Sequence, residues 1–122
     1  KKKEYIYLLF MAFVKKKNRV YSWPVKVSKP SDDHFGEFEE LEFIVKFYRL
    51  KTEELTKFDE VNDNPLKALK MIVKGWVNYT DEDGKDIPYN DKELEELADD
   101  PDVVKGITDS YKEFYSNAQV KN

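Results

Sequence analysis

From Leu41 to Tyr48 apolar and polar residues alternate. Leu41, Phe43, Val45 and Phe47 share one face, and Glu40, Glu42, Lys46 and Tyr48 mostly share the other. A period of two over that length predicts a half-buried strand. Val20 to Val27 (VYSWPVKV) is also rich in strand-forming residues. Pro24 lacks an N–H for a ladder, which puts this strand at a sheet edge or a bulge. Ser28 to Gly36 has the composition of a turn, so the two strands are expected to form an antiparallel hairpin.

After Leu50 the period lengthens to that of a helix. Thr52 reads as an N-cap region ahead of a stripe of Leu55, Phe58 and Val61. Asn64-Pro65 opens a second helix, with proline at a position where its missing N–H costs nothing. Leu66, Leu69, Ile72, Val73, Trp76 and Val77 follow at helical spacing and predict a core helix ending at Gly75-Trp76-Val77. Asp83-Gly84 predicts a tight turn, and Ile87-Pro88 an extended stretch. Asn90 caps a helix carrying Leu94, Leu97 and Ala98. Asp100-Pro101 starts a last helix with Val104, Ile107, Tyr111, Phe114 and Tyr115 along one side. The fold class that follows is α+β: an N-terminal antiparallel β-hairpin or small sheet (strands at about 20–50), then about four short helices (52–118).

Length alters this picture only by setting the domain count: 122 residues make one domain, expected to span 15–122 behind an arm at 1–14. The arm's apolar run, Tyr5 to Val14, lies between Lys1-Lys2-Lys3 and Lys15-Lys16-Lys17. It is short for a membrane span and is followed by no small-residue cleavage site. Met11 lies inside it, so residues 1–10 read as upstream of a natural start; if native, Tyr5, Ile6, Leu8, Leu9 and Phe10 are candidates for self-association. A net charge of −4 gives no general attraction to nucleic acid. The distribution is uneven, however: the first nineteen residues are basic, and Asp91 to Asp102 carries seven carboxylates against Lys92. Opposite charges at the two ends favour pairing between copies.

Candidate chemistry is sparse. There is no cysteine, which removes disulfides, thiolate metal sites and a Cys nucleophile. Setting Gly84 of Asp81-Glu82-Asp83-Gly84 at the sixth position of a calcium loop places Tyr79 first and Asn90 twelfth, where an acid is required. His34 is the sole histidine and sits in a polar loop, so neither a Ser–His pair nor a His metal site assembles around it. No feature places two carboxylates in an apolar pocket, and no glycine-rich phosphate loop is present. The expectation is a non-enzymatic protein without cofactor or metal, and without nucleic-acid or membrane binding. Aromatic residues then become the candidate binding surface: Trp76, Tyr89, Tyr111, Phe114 and Tyr115.

From Trp23 to Asn122 the chain resembles the tail assembly chaperones of long-tailed (siphovirus-type) bacteriophages. The resemblance is carried by Trp23-Pro24-Val25, by Phe47-Tyr48-Arg49-Leu50 closing a strand, and by Gly75-Trp76, Asp81-Glu82-Asp83-Gly84 and Ile87-Pro88-Tyr89. Asp100-Pro101, Tyr111 and Lys121-Asn122 complete the ordered set. The first ten residues lie outside it. The resemblance implies a morphogenesis factor of the host cytoplasm, absent from the finished virion. It implies coating of the aggregation-prone tape measure protein and recruitment of tail tube subunits, the latter through a longer, frameshifted form. This chain corresponds to the short form. Self-association into open, head-to-tail oligomers is the further expectation. Two other readings stand beside it: a small acidic phage protein that inhibits a host nucleic-acid enzyme by DNA mimicry, and a tail-completion structural protein.

Overall fold

The computed structural model describes residues 19–120. β1 (Val20–Pro30) and β2 (Phe38–Tyr48) form the expected antiparallel hairpin, in unbroken register from Val20 opposite Tyr48 to Pro30 opposite Phe38. Ser31 organises the connecting loop. Its N–H donates to the Glu37 carbonyl, and its Oγ accepts from the N–H groups of Asp33 and His34. Gly36 supplies the left-handed backbone there, at φ 79°.

Four helices follow: α1 (Thr52–Glu60), α2 (Pro65–Ile72), α3 (Asp91–Ala98) and α4 (Pro101–Val120). Three caps are those read from sequence. Asn64 Oδ1 accepts from Lys67 N–H, Asn90 Oδ1 from Glu93 N–H, and Asp100 Oδ1 from the N–H groups of Asp102 and Val103. At α1 the cap lies one residue earlier than expected. Thr52 is already helical, and Lys51 N–H is satisfied by the Glu54 carboxylate reaching back at 2.8 Å.

The expected core helix through Val77 is wrong in its second half. α2 stops at Ile72, and Val73–Val77 forms a third strand, β3, antiparallel to β2 in a sheet of order β1-β2-β3. Leu69, Ile72, Val73 and Trp76 satisfy a helical period as sequence letters. The second edge of β2 offers Val73 to Val77 a ladder instead, and β-branched ends with a central glycine suit it better. Gly75 sits where a Cβ would come within 3.1 Å of the Lys46 side chain, beside the bulge at Lys46/Phe47.

One face of the sheet carries Val25, Val27, Phe43, Val45, Phe47, Val73 and Trp76, and the helices cover it. Leu50, Leu69, Ile72, Leu94, Leu97, Val103, Ile107, Tyr111 and Phe114 complete a single core. On α4 the buried stripe begins at Val103 rather than at Val104, which is half-buried. No helix among the described residues is long and apolar enough to cross a membrane.

Candidate interaction surface

Three of the five aromatics expected at a partner surface are core residues. Trp76, 9% exposed, packs edge-on against Tyr79 and Tyr89 and donates its indole N–H to the Ile87 carbonyl at 2.7 Å. Tyr111, 3% exposed, lies between Phe47 and Phe58, and Phe114 lies among Tyr21, Trp23 and Phe47. Trp76 is buried because it stands in the inner row of the third strand, opposite Val45, whereas Tyr111 and Phe114 are buried against the hairpin itself, on Tyr21, Trp23 and Phe47. Tyr115 is half-buried. Tyr89 remains exposed along one edge, although its hydroxyl donates to the Val73 carbonyl at 2.8 Å. Burial, and then the Asp91 charge, raise the Tyr89 pKa. The self-association candidates Tyr5, Ile6, Leu8, Leu9 and Phe10 lie outside the described residues.

The α4 tyrosines instead clamp the link between sheet and helices. Tyr111 Oη accepts from Leu50 N–H at 3.1 Å and donates to the Tyr48 carbonyl at 3.0 Å; Tyr115 Oη donates to the Leu50 carbonyl at 2.9 Å. Arg19 Nε donates to the Arg49 carbonyl, and the Arg49 guanidinium lies 4.0 Å from the centre of the Tyr115 ring, a cation–π contact. Burial dominates at Tyr111, whose pKa is pushed up to about 12. The Tyr111 and Tyr115 hydroxyls and the Arg19 guanidinium thus serve the chain's own backbone, which leaves the two hydroxyls little to offer a partner.

The apolar surface that stays open lies at the hairpin end. Val27, Leu41, Phe43, Tyr79 and Val103 line a groove of about 250 Å³ between the sheet, the start of α4 and the segment after β3. Leu41 is 45% exposed, although it continues the buried row of Phe43, Val45 and Phe47. The groove exists because the helices stop short of that end while the hairpin runs on. Its shape depends on Asn78, which turns the chain out of β3 at φ 64°, and on the stack of Phe43 against Tyr79 at 5.2 Å. Asparagine is among the few residues that take this left-handed backbone readily.

Charge lines the rim. Lys29 Nζ pairs with Asp100, the cap of α4. Burial alone raises the Asp100 pKa, but the Lys29 ammonium and the N–H groups of Val103 and Asp102 outweigh it and hold the carboxyl below its usual value. Burial, then the Asp100 charge, raise the pKa of the Tyr79 hydroxyl and keep it neutral. Beyond the groove Phe35 is fully exposed at the hairpin tip, and Phe38 is 68% exposed. Sequence reasoning missed both. A signal was present: Phe38 falls out of phase with Leu41, Phe43, Val45 and Phe47, and Phe35 precedes a turn glycine.

The Asp81 to Gly84 segment forms a compact turn. Asp81 Oδ1 accepts from the N–H groups of Asp83 and Lys85, so that carboxylate serves the turn itself. No group of three His, Cys, Asp or Glu residues among the described residues is placed to hold a metal ion. The hairpin-end groove can seat an apolar side chain. No protein-family model, curated protein or solved structure matches this chain.

Proposed function

We propose that this protein is a tail assembly chaperone of a long-tailed bacteriophage, working in the host cytoplasm and absent from the finished virion. The observation that supports this best is the open groove of Val27, Leu41, Phe43, Tyr79 and Val103, apolar at its floor and charged at Lys29, Asp100 and Glu42. At about 250 Å³ it is smaller than a typical small-molecule pocket, with room for one or two side chains of a partner. A long helical tape measure protein offers such side chains repeatedly along an apolar stripe. Left bare, that stripe would drive aggregation. One copy of the chaperone then shields one short stretch, by a contact weak enough to release when tail tube protein arrives. Many copies side by side supply the avidity. Recruitment of tube subunits belongs to a longer form of the same protein.

Co-expression with the cognate tape measure protein tests this reading. The wild type keeps that protein in the supernatant and co-purifies with it. Leu41→Asp, which puts a charge on the groove wall at an exposed position, loses both effects, while Glu53→Gln, exposed on α1 beyond the other end of β2, keeps them. A tape measure protein equally insoluble with and without the chaperone, or a Leu41→Asp variant as effective as wild type, sinks the proposal. Detection of the protein in purified particles at stoichiometric amounts removes its absence from the virion.

A further inference from the structure

We infer that the hairpin tip of one copy seats in a lysine-ringed depression at the opposite end of the next, joining copies head to tail. The tip combines two exposed rings, Phe35 and Phe38, with Asp32, Asp33, Glu37 and Glu39. Its loop is ordered by the Ser31 hydrogen bonds, so it is presented as a formed knob. No other residue among the described ones covers Phe35.

The complementary surface lies where α1 ends and α2 runs past it. Lys57, Val61, Lys67, Lys70 and Met71 line an open depression of about 530 Å³, with Glu60 as the carboxylate among them. Val61 and Met71 are half-buried and make an apolar floor; the lysines are exposed around it. None of the three lysines is in an ion pair among the described residues. Methionine adapts its shape to an incoming ring, and lysine stems add apolar wall beneath their charges. Acidic-aromatic knob and basic-apolar dish therefore match in both charge and polarity, which is why a second copy is the occupant favoured here.

The two surfaces cannot meet within one molecule. Met71 lies two residues before Val73, which pairs with Phe47, and Phe47 stands nine residues along β2 from Phe38. That separation is roughly 30 Å of strand. Each copy thus offers one knob and one dish at opposite ends, a heterologous contact that repeats without having to close. This contact would generate the row of copies that the proposed function uses, but its test needs no tape measure protein, so either can fail alone.

Sedimentation velocity on the full chain, across concentration and salt, provides the test. The wild type grows heavier with concentration, and added salt reverses the growth because the charges sit at the surface. A tip variant, D33S/F35S, and a dish variant, K67E/K70E, change only exposed residues; each is expected to sediment as a monomer. Mixed in equal amounts, they retain one intact dish and one intact tip between them. The mixture is expected to form a species of twice the monomer mass and nothing larger. A monomeric wild type, assembly that persists in both variants, or a mixture that stays monomeric each overturns the contact, as does assembly insensitive to salt.

Discussion

Gly106→Ala on α4 should destabilise the protein, against the ordinary rule for helices. At an exposed helix position this change gains about 1 kcal/mol, because alanine is the better helix former. Here the new Cβ would stand 2.6 Å from the Lys26 carbonyl oxygen, 2.9 Å from Val27 Cγ2 and 3.3 Å from Val27 Cα. Two of those three atoms are backbone, so no side-chain rotation relieves the clash. Restoring a 3.4 Å contact requires α4 to retreat by 3.4 − 2.6 = 0.8 Å from β1. A gap of that size forfeits roughly a quarter to a half of the dispersion energy at each affected contact. Val103 and Ile107, buried on the same helix, lose contact with the sheet together. Overpacking of this kind costs about 1–3 kcal/mol, enough to outweigh the propensity gain. Set against the propensity gain, a net loss of about 1–2 kcal/mol is expected, read in calorimetry as a melting temperature lower by roughly 3–10 °C. Glu113→Ala, exposed on the same helix, serves as the propensity control and should leave it nearly unchanged. A Gly106→Ala protein as stable as wild type, or more so, would show that α4 does not lie against the β1 backbone at Lys26.

Trp76→Ala should cost about 3–5 kcal/mol, through lost packing and an unpaired Ile87 carbonyl, measured by urea unfolding. Tyr111 holds its proton in the folded state to about pH 12, whereas the unfolded chain releases it near 10. The unfolded state then binds fewer protons, so stability falls as pH rises from 10 to 12, by about 2–3 kcal/mol from this group. Tyr111→Phe should flatten that part of the stability profile; an unchanged slope would count against the buried hydroxyl. At Asp100 the sign reverses. Its folded pKa lies below the usual 3.8, so its stabilisation is present above that value and is lost as pH falls through the folded one. Asp100→Asn should accordingly be less stable than wild type at neutral pH and converge with it in acid, followed by circular dichroism.

Where a residue pattern has one structural solution, it was legible. Alternation in β2, proline in an edge strand, and the Asn64, Asn90 and Asp100 caps each reflect a local rule that the neighbouring residues alone enforce. Val73 to Val77 failed because its period fits a helix and its residue types fit a strand, and the deciding factor, the unpaired second edge of β2, lies some thirty residues away. The same cause misplaced Trp76, which stands in the inner row of the added strand. Tyr111 and Phe114 were misplaced for another reason: they cover the hairpin, on Tyr21, Trp23 and Phe47, and no local rule shows which face of a distant helix lands there. Phe35 and Phe38 went unnoticed because a turn composition says nothing about whether a phenylalanine within it folds back. The groove itself could not be read from sequence, since its walls come from β1, β2, α4 and the segment after β3.

The tyrosine clamp has a consequence for the order of events during synthesis. Leu50 and Tyr48 are held by residues 61 to 65 positions later in the chain. At roughly 5–20 residues per second, the ribosome needs several seconds to make that interval. Throughout it the hairpin can already pair, yet Phe43, Val45 and Phe47 face water. A protein proposed to cover the exposed apolar stripe of another therefore passes through an interval with an uncovered stripe of its own. Fast translation to Tyr115, rather than early hairpin formation, governs how long that interval lasts.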